Sequence, residues 1–436
     1  MRKLIAFAFA IALLASASAA PPRGNVLQAA IAEDYARNLE ALFKHLHANP
    51  ELSHREFETS KRLASELRKL GYEVTEGVGK TGVVAVLRNG RGPTVMLRAD
   101  MDGLPVEEKS GLPYASKVRQ VDIDGKEQPV MHACGHDVHI TSLVGAARQL
   151  IARRDGWSGT LVLIGQPAEE RISGARDMLQ DGLYQRFPKP DYAVAFHVSS
   201  RYPAGKVQVP LGIAYSSSDS VDIVVHGVGT HGASPHRGID PVLVASQIVV
   251  SLQSLVSRSI DPLQPGVITV GSIHGGTKHN IIGDRVDLQL TVRADNAEVR
   301  DQLLKGIERV AVNVARAHGV PEDKLPEVKF SSTQTTPPTI NDEATARRIK
   351  AAFEQYLGKD RVIEQPREGM GAEDFAYFIA PEHNVKGVYF AVGGTLPENL
   401  ETAAAHHSPL FKIEPEPAIK TGTEAMVIAA MTLMPR

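Results

Sequence analysis

Between residues 26 and 70, apolar positions recur every three or four residues, at Ala30, Tyr35, Leu39, Leu42, Phe43 and Leu46. Only a helix gathers such positions on one face. Asn49-Pro50 interrupts the pattern, a second helix is expected over 56–70, and Gly71 closes it. Beyond, short unbroken apolar runs at 83–87, 95–97, 160–164 and 192–196 alternate with helical stretches such as 141–152. Runs without a polar side predict a sheet covered on both faces. Near Gly212 the pattern changes. Val221, Ile223 and Val225 alternate with other residues, as do Val286, Leu288, Leu290 and Val292. Such alternation predicts a sheet with one wet face. With strands at 267–270 and 328–330 and helices at 241–256 and 297–318, it makes a two-layer unit. After about Thr336 the first style resumes, with a helix at 344–357 and a strand at 388–392. The expected fold is α/β. A larger domain over 24–211 and 334–436 carries a mostly parallel sheet, interrupted by a smaller α+β domain over 212–333.

The first residues stand apart. Arg2 and Lys3 precede an apolar run over 4–14, and Ala17-Ser18-Ala19 offers a small-x-small cleavage pattern. This is the layout of a secretory signal peptide ending at residue 19. The run is short for a span of about 20 residues, and no other segment reads as a membrane span. The mature protein is therefore expected to be exported, periplasmic or secreted, without stable membrane insertion. Formal net charge is −2 and no basic tract appears, which gives nucleic-acid binding no support.

Export makes the single cysteine, Cys134, notable, since it has no partner within the chain. It lies in Met131-His132-Ala133-Cys134-Gly135-His136-Asp137-Val138-His139. In an extended segment Cys134 and His136 would point to the same side. Thiolate and imidazole both suit zinc and similar metals, and coordination would account for the thiol. Asp100 and Asp137 are candidates to orient a ligand histidine. Further donors follow apolar strands: Glu169 and Glu170 after 161–165, and His197 after 192–196. The carboxyl ends of strands are where α/β sheets build sites. His407 adds a late loop donor. A cysteine nucleophile with a histidine base is the competing reading. Cys134, His136, Glu170, His197 and His407 exceed the three ligands of one catalytic zinc and fit two divalent ions sharing a thiolate. Zinc leads, with manganese, cobalt and nickel also compatible.

Taken with Leu97 to Pro105, Gln166 to Glu170, Gly229 to His236, Gly371 to Ala376 and His407 to Phe411, these segments make the chain recognisable. It resembles the aminoacylase/carboxypeptidase family of two-metal peptidases. Within it, the likeness is to hippurate hydrolases, auxin-conjugate hydrolases and related N-acyl-amino-acid amidohydrolases. Arg98 stands where the wider family often has histidine, and this subfamily shares the arginine. The resemblance implies that Cys134 bridges both metals and that Glu169 is the general base. It implies that His231, from the inserted domain of a partner subunit in a homodimer, steadies the oxyanion. It also implies that Asn280 contacts substrate; Arg293 is a candidate for the substrate carboxylate. The implied reaction is hydrolysis of an amide bond that frees an amino acid. A carboxypeptidase or dipeptidase, and a non-catalytic binding protein on the same fold, are the alternatives.

Overall fold

The computed structural model describes residues 24–367 and 369–436. The expected leader lies outside them. A seven-stranded sheet forms the centre of the larger layer system. Its four middle strands, Gly159–Gln166, Thr94–Asp100, Tyr192–Pro203 and Lys386–Thr395, are adjacent in that order and parallel. Glu73–Val78 and Gly82–Asn89 extend one side and Val207–Gln208 the other, all antiparallel. The middle strands are buried almost throughout, which is why they read as continuous apolar runs.

One face of the sheet is covered by the helices His136–Ala152 and Pro415–Leu433, joined by the N-terminal helices in one apolar core. Pro415–Leu433 is buried on nearly every side. The opposite face is closed by a second cluster around Met96, Ile164, Met178 and Phe375.

A second sheet has the order Gly266–Gly275, Arg285–Ala294, Ser218–His226, Glu327–Thr336, antiparallel throughout. Helices Pro241–Ser254 and Ala297–Ala317 pack on one face and share its separate core. Asp240 and Asn296 cap these helices, accepting from the backbone N–H of Val242 and Val299. The segment Pro241–Ser259 is long and apolar enough to cross a membrane by length and composition, which corrects the expectation that no segment beyond the leader would be. Its inner residues Val244, Ile248 and Leu252 are packed on this sheet. Val242, Leu243 and Val250 face outward.

Candidate metal centre

Three parallel neighbours deliver their side chains to one end of the large sheet. Asp100 ends one strand and pairs in register with Gln166, which ends the next. His197 lies beside Ala391 on the third. The helix at the site begins at His136, and Gly135 before it has φ +87°. A Cβ there would stand 2.4 Å from Val198 Cγ1. Cys134 and His136 are therefore joined by a left-handed turn and not by strand alternation, which corrects the extended reading of that segment.

After Gln166 the chain makes a second sharp turn. Ala168 and Ile172 take left-handed conformations, φ +48° and +53°, on either side of Glu169–Arg171. Such positions cost about 1–3 kcal/mol each and persist only where neighbours enforce them. Here Glu56 Oε1 accepts the backbone N–H of Ala168 at 2.8 Å. Asp102 accepts those of Glu169 (Oδ1, 3.1 Å) and Glu170 (Oδ2, 3.0 Å).

The donor atoms of Cys134, His136 and Glu170 all lie within 4.8 Å of one another, as do those of Cys134, His197 and His406. Cys134 Sγ belongs to both groups and stands 3.3 Å from His197 Nε2. The backbone N–H of His407 donates to Ala133 O, which brings the late loop against the cysteine. His407 Nε2 lies 3.4 Å from Glu170 Oε2. His406 also approaches Cys134, with Nδ1 3.7 Å from Sγ. Its Nε2 accepts the backbone N–H of Ser200, so a neutral ring carries its proton on Nδ1 and donates toward sulfur.

The residues fit divalent cations. Both ring nitrogens of His136 and Oε1 of Glu170 are buried without a hydrogen-bond partner. Burial opposes charge on His136, yet Asp100, Asp102 and Glu170 outweigh it and hold its pKa up to about 10. The local potential thus favours a positive charge. Burial, followed by Glu170 and Glu169, pushes the Cys134 thiol well up. Burial, then Glu373 and Glu170, does the same to Glu169. Cations would reverse both shifts. Burial keeps His197 neutral, lowered to about 4, the form a metal binds.

Arg98 is fully buried and bridges Asp100 (2.6 Å) and Glu373 (2.7 Å). Tyr389 Oη donates to Glu373 and Gln166 Nε2 to Asp374. Glu373 and Asp374 bring carboxylate oxygens within 4.8 Å of Glu169. Of the two expected orienting carboxylates, Asp100 lies beside His136, its Oδ2 3.7 Å from Nε2. Asp137 does not reach a candidate ligand. It is one position further along the helix, turned by about 100°, and takes His47 Nδ1 at 2.7 Å. Asp102 stands beside His136 instead, 3.3 Å from Nδ1. Asp102, Glu373, Asp374 and His406 had no assigned role from sequence. Asp102 was findable, since Asp100-x-Asp102 puts both on one side of a strand end.

A cavity of ≈ 630 Å³ opens on this centre, with Cys134, Glu169, His197, His407 and Arg293 in its wall. Arg293 is half-buried, and among the described residues it has no side-chain hydrogen bond or ion pair. Burial lowers its pKa, with Asp219 opposing. His231 and Asn280 lie elsewhere, exposed together on a small ribbon where His231 pairs with Ile281 and Gly232 N–H donates to Asn280 O. Neither is among the residues lining this cavity.

Residues 96–432 match the model of peptidase family M20/M25/M40. The chain is 38% identical to thermostable carboxypeptidase 2 of Saccharolobus solfataricus over 390 residues, 88% of this chain and 93% of that protein. It is 36% identical to hippurate hydrolase of Campylobacter jejuni over 79% of this chain and 86% of the relative. A Bacillus subtilis structure described as a dinuclear metal-binding peptidase of the M20 family superimposes with TM-score 0.73 at 28% identity, over 91% of this chain and 98% of that one.

Proposed function

The chain belongs to peptidase family M20/M25/M40 and is a metal-dependent hydrolase, and on that premise we propose that it cleaves the amide bond of N-acyl amino acids to free the amino acid. The single observation that carries this reading is the shared position of Cys134 Sγ between two donor groups, beside a cavity that also holds Arg293, which has no side-chain hydrogen bond or ion pair among the described residues.

In this reading Cys134, His136, Glu170, His197 and His407 hold two divalent ions. The pair of ions supplies an activated water and polarises the scissile carbonyl. The residues of the chain do the rest. Arg293 meets the free carboxylate of the substrate with charge-assisted hydrogen bonds. Glu169, buried and crowded by Glu373 and Asp374, takes the water's proton and returns it to the leaving nitrogen. His406 donates to the Cys134 sulfur rather than serving as a ligand, because Ser200 occupies its other nitrogen.

His231 and Asn280 are too exposed to act within their own chain's cavity, and we assign them to the site of a second subunit. The apolar outer face of Pro241–Ser259 and the edge strand Gly266–Gly275 are the surfaces such a homodimer would use. This makes residues 212–333 a lid and dimerisation domain. We also propose export, on the leader-like residues 1–19.

The test is a panel of N-acetyl, N-benzoyl and dipeptide substrates, assayed with zinc or manganese and again after chelation. Metal-dependent release of amino acid from the acylated substrates is expected. Turnover that survives complete metal removal would overturn the reading. The carboxypeptidase relatives favour a second reading, in which the dipeptides are the better substrates.

A further inference from the structure

His139 lies in the same dense motif as the candidate ligands, three positions after His136, and its ring atoms form a tight group with Asp100 and His136. Spacing alone would enlist it as a ligand. Its hydrogen bonds exclude that. The backbone N–H of Val198 donates to His139 Nε2 at 2.9 Å. A nitrogen that accepts carries no proton, so a neutral ring holds its proton on Nδ1. Nδ1 then donates to Asp100 Oδ1 at 2.5 Å. Both nitrogens are spent, and the ring is fully buried.

The carbonyl of Val198, in the next peptide unit, is engaged as well. His197 Nδ1 lies 2.7 Å from Val198 O. A carbonyl only accepts, so Nδ1 of His197 carries the proton. This leaves the lone pair on Nε2, which faces Cys134 Sγ at 3.3 Å. A chain of contacts therefore runs from Arg98 through Asp100 and His139 to the N–H of Val198, and the carbonyl of the same residue holds the His197 ring.

Resting on the reading of His197 as a metal ligand, we infer that His139 is a positioning residue, not a ligand: it fixes the backbone at Val198 so that His197 presents an unprotonated Nε2 to the metal shared with Cys134. Partners at this remove from a metal change affinity by about 10- to 100-fold when removed.

Two polar substitutions separate the possibilities. His139→Gln keeps an amide oxygen where Nε2 accepts from Val198. His139→Asn reaches Asp100 but not Val198. The metal-free full-length protein is titrated with zinc against a chromophoric chelator, with His197→Ala in parallel. The expected result is that H139N weakens one of two zinc sites about 10- to 100-fold, while H139Q recovers most of the loss. Equal loss in H139Q and H139N overturns the inference, because it marks His139 as a ligand or as packing. Unchanged binding in both, with one site lost in H197A, also overturns it while leaving the ligand reading intact. Two unchanged sites in H197A reject the ligand reading itself, and the inference with it. Should H139N not fold, ¹⁵N-histidine NMR of the wild-type protein decides. Protons on Nδ1 of both His139 and His197 are expected, and a proton on Nε2 of His139 overturns the proposal.

Discussion

Asp102 accepts the backbone N–H of Glu170 on Oδ2 at 3.0 Å. Its other oxygen takes the N–H of Glu169 and stands 3.3 Å from His136 Nδ1. One carboxylate thus sets the turn that bears the proposed base and the orientation of a proposed ligand. Asp102→Asn keeps the shape but loses one acceptor. It is expected to weaken zinc binding by about 10- to 100-fold, measured by chelator competition, with a parallel fall in kcat/KM.

Glu169 faces the cavity without a metal-binding role in the proposed scheme. Glu169→Gln removes the proton acceptor and little else. The expected outcome is a drop in kcat of about 10²- to 10⁴-fold with two metals still bound, read by steady-state kinetics and metal analysis on the same sample. Loss of metal with activity would instead make Glu169 a ligand.

Among the described residues, Arg293 has no side-chain hydrogen bond or ion pair in the cavity wall. Arg293→Ala is expected to cost about 1.5–3 kcal/mol, or roughly 10- to 150-fold in kcat/KM, on substrates with a free carboxylate. The same substrates capped as amides lack the charge and are expected to respond far less, so the ratio between the two is the measurement.

His47 gives a prediction for stability against pH. Burial disfavours its charge, but hydrogen bonds to Asp137 and Glu108 outweigh burial and raise its pKa from 6.5 to about 10. The folded state binds the proton more tightly than the unfolded state. Its contribution to stability is therefore complete below about pH 6.5 and is lost as pH rises toward 10. Chemical denaturation across pH 6 to 10 is expected to show this decline, and His47→Gln to flatten it.

The four middle strands were legible because burial on both sides leaves an unbroken apolar run, as in Val95 to Leu97 and Leu161 to Ile164. The strand Glu73–Val78 was not, since it lies at an edge and is mostly half-exposed. Pro415–Leu433 escaped for the opposite reason: buried all round, it has no polar stripe to mark a period. The donor set was legible in residue types and strand ends. Which carboxylate serves which histidine was not. That depends on the left-handed turns at Gly135 and Ala168 and on one step of helix rotation, which swaps Asp137 for Asp102. The spent nitrogens of His139 and His406 were equally invisible, because their partners are the backbone of Val198 and Ser200 on a distant strand.

The backbone bond from His407 to Ala133 joins positions more than 270 residues apart along the chain. During synthesis, Cys134 and His136 emerge long before the segment that completes their surroundings. On the proposed reading of His407 as a ligand, a product truncated anywhere ahead of His407 is expected to be inert however well its earlier strands had formed.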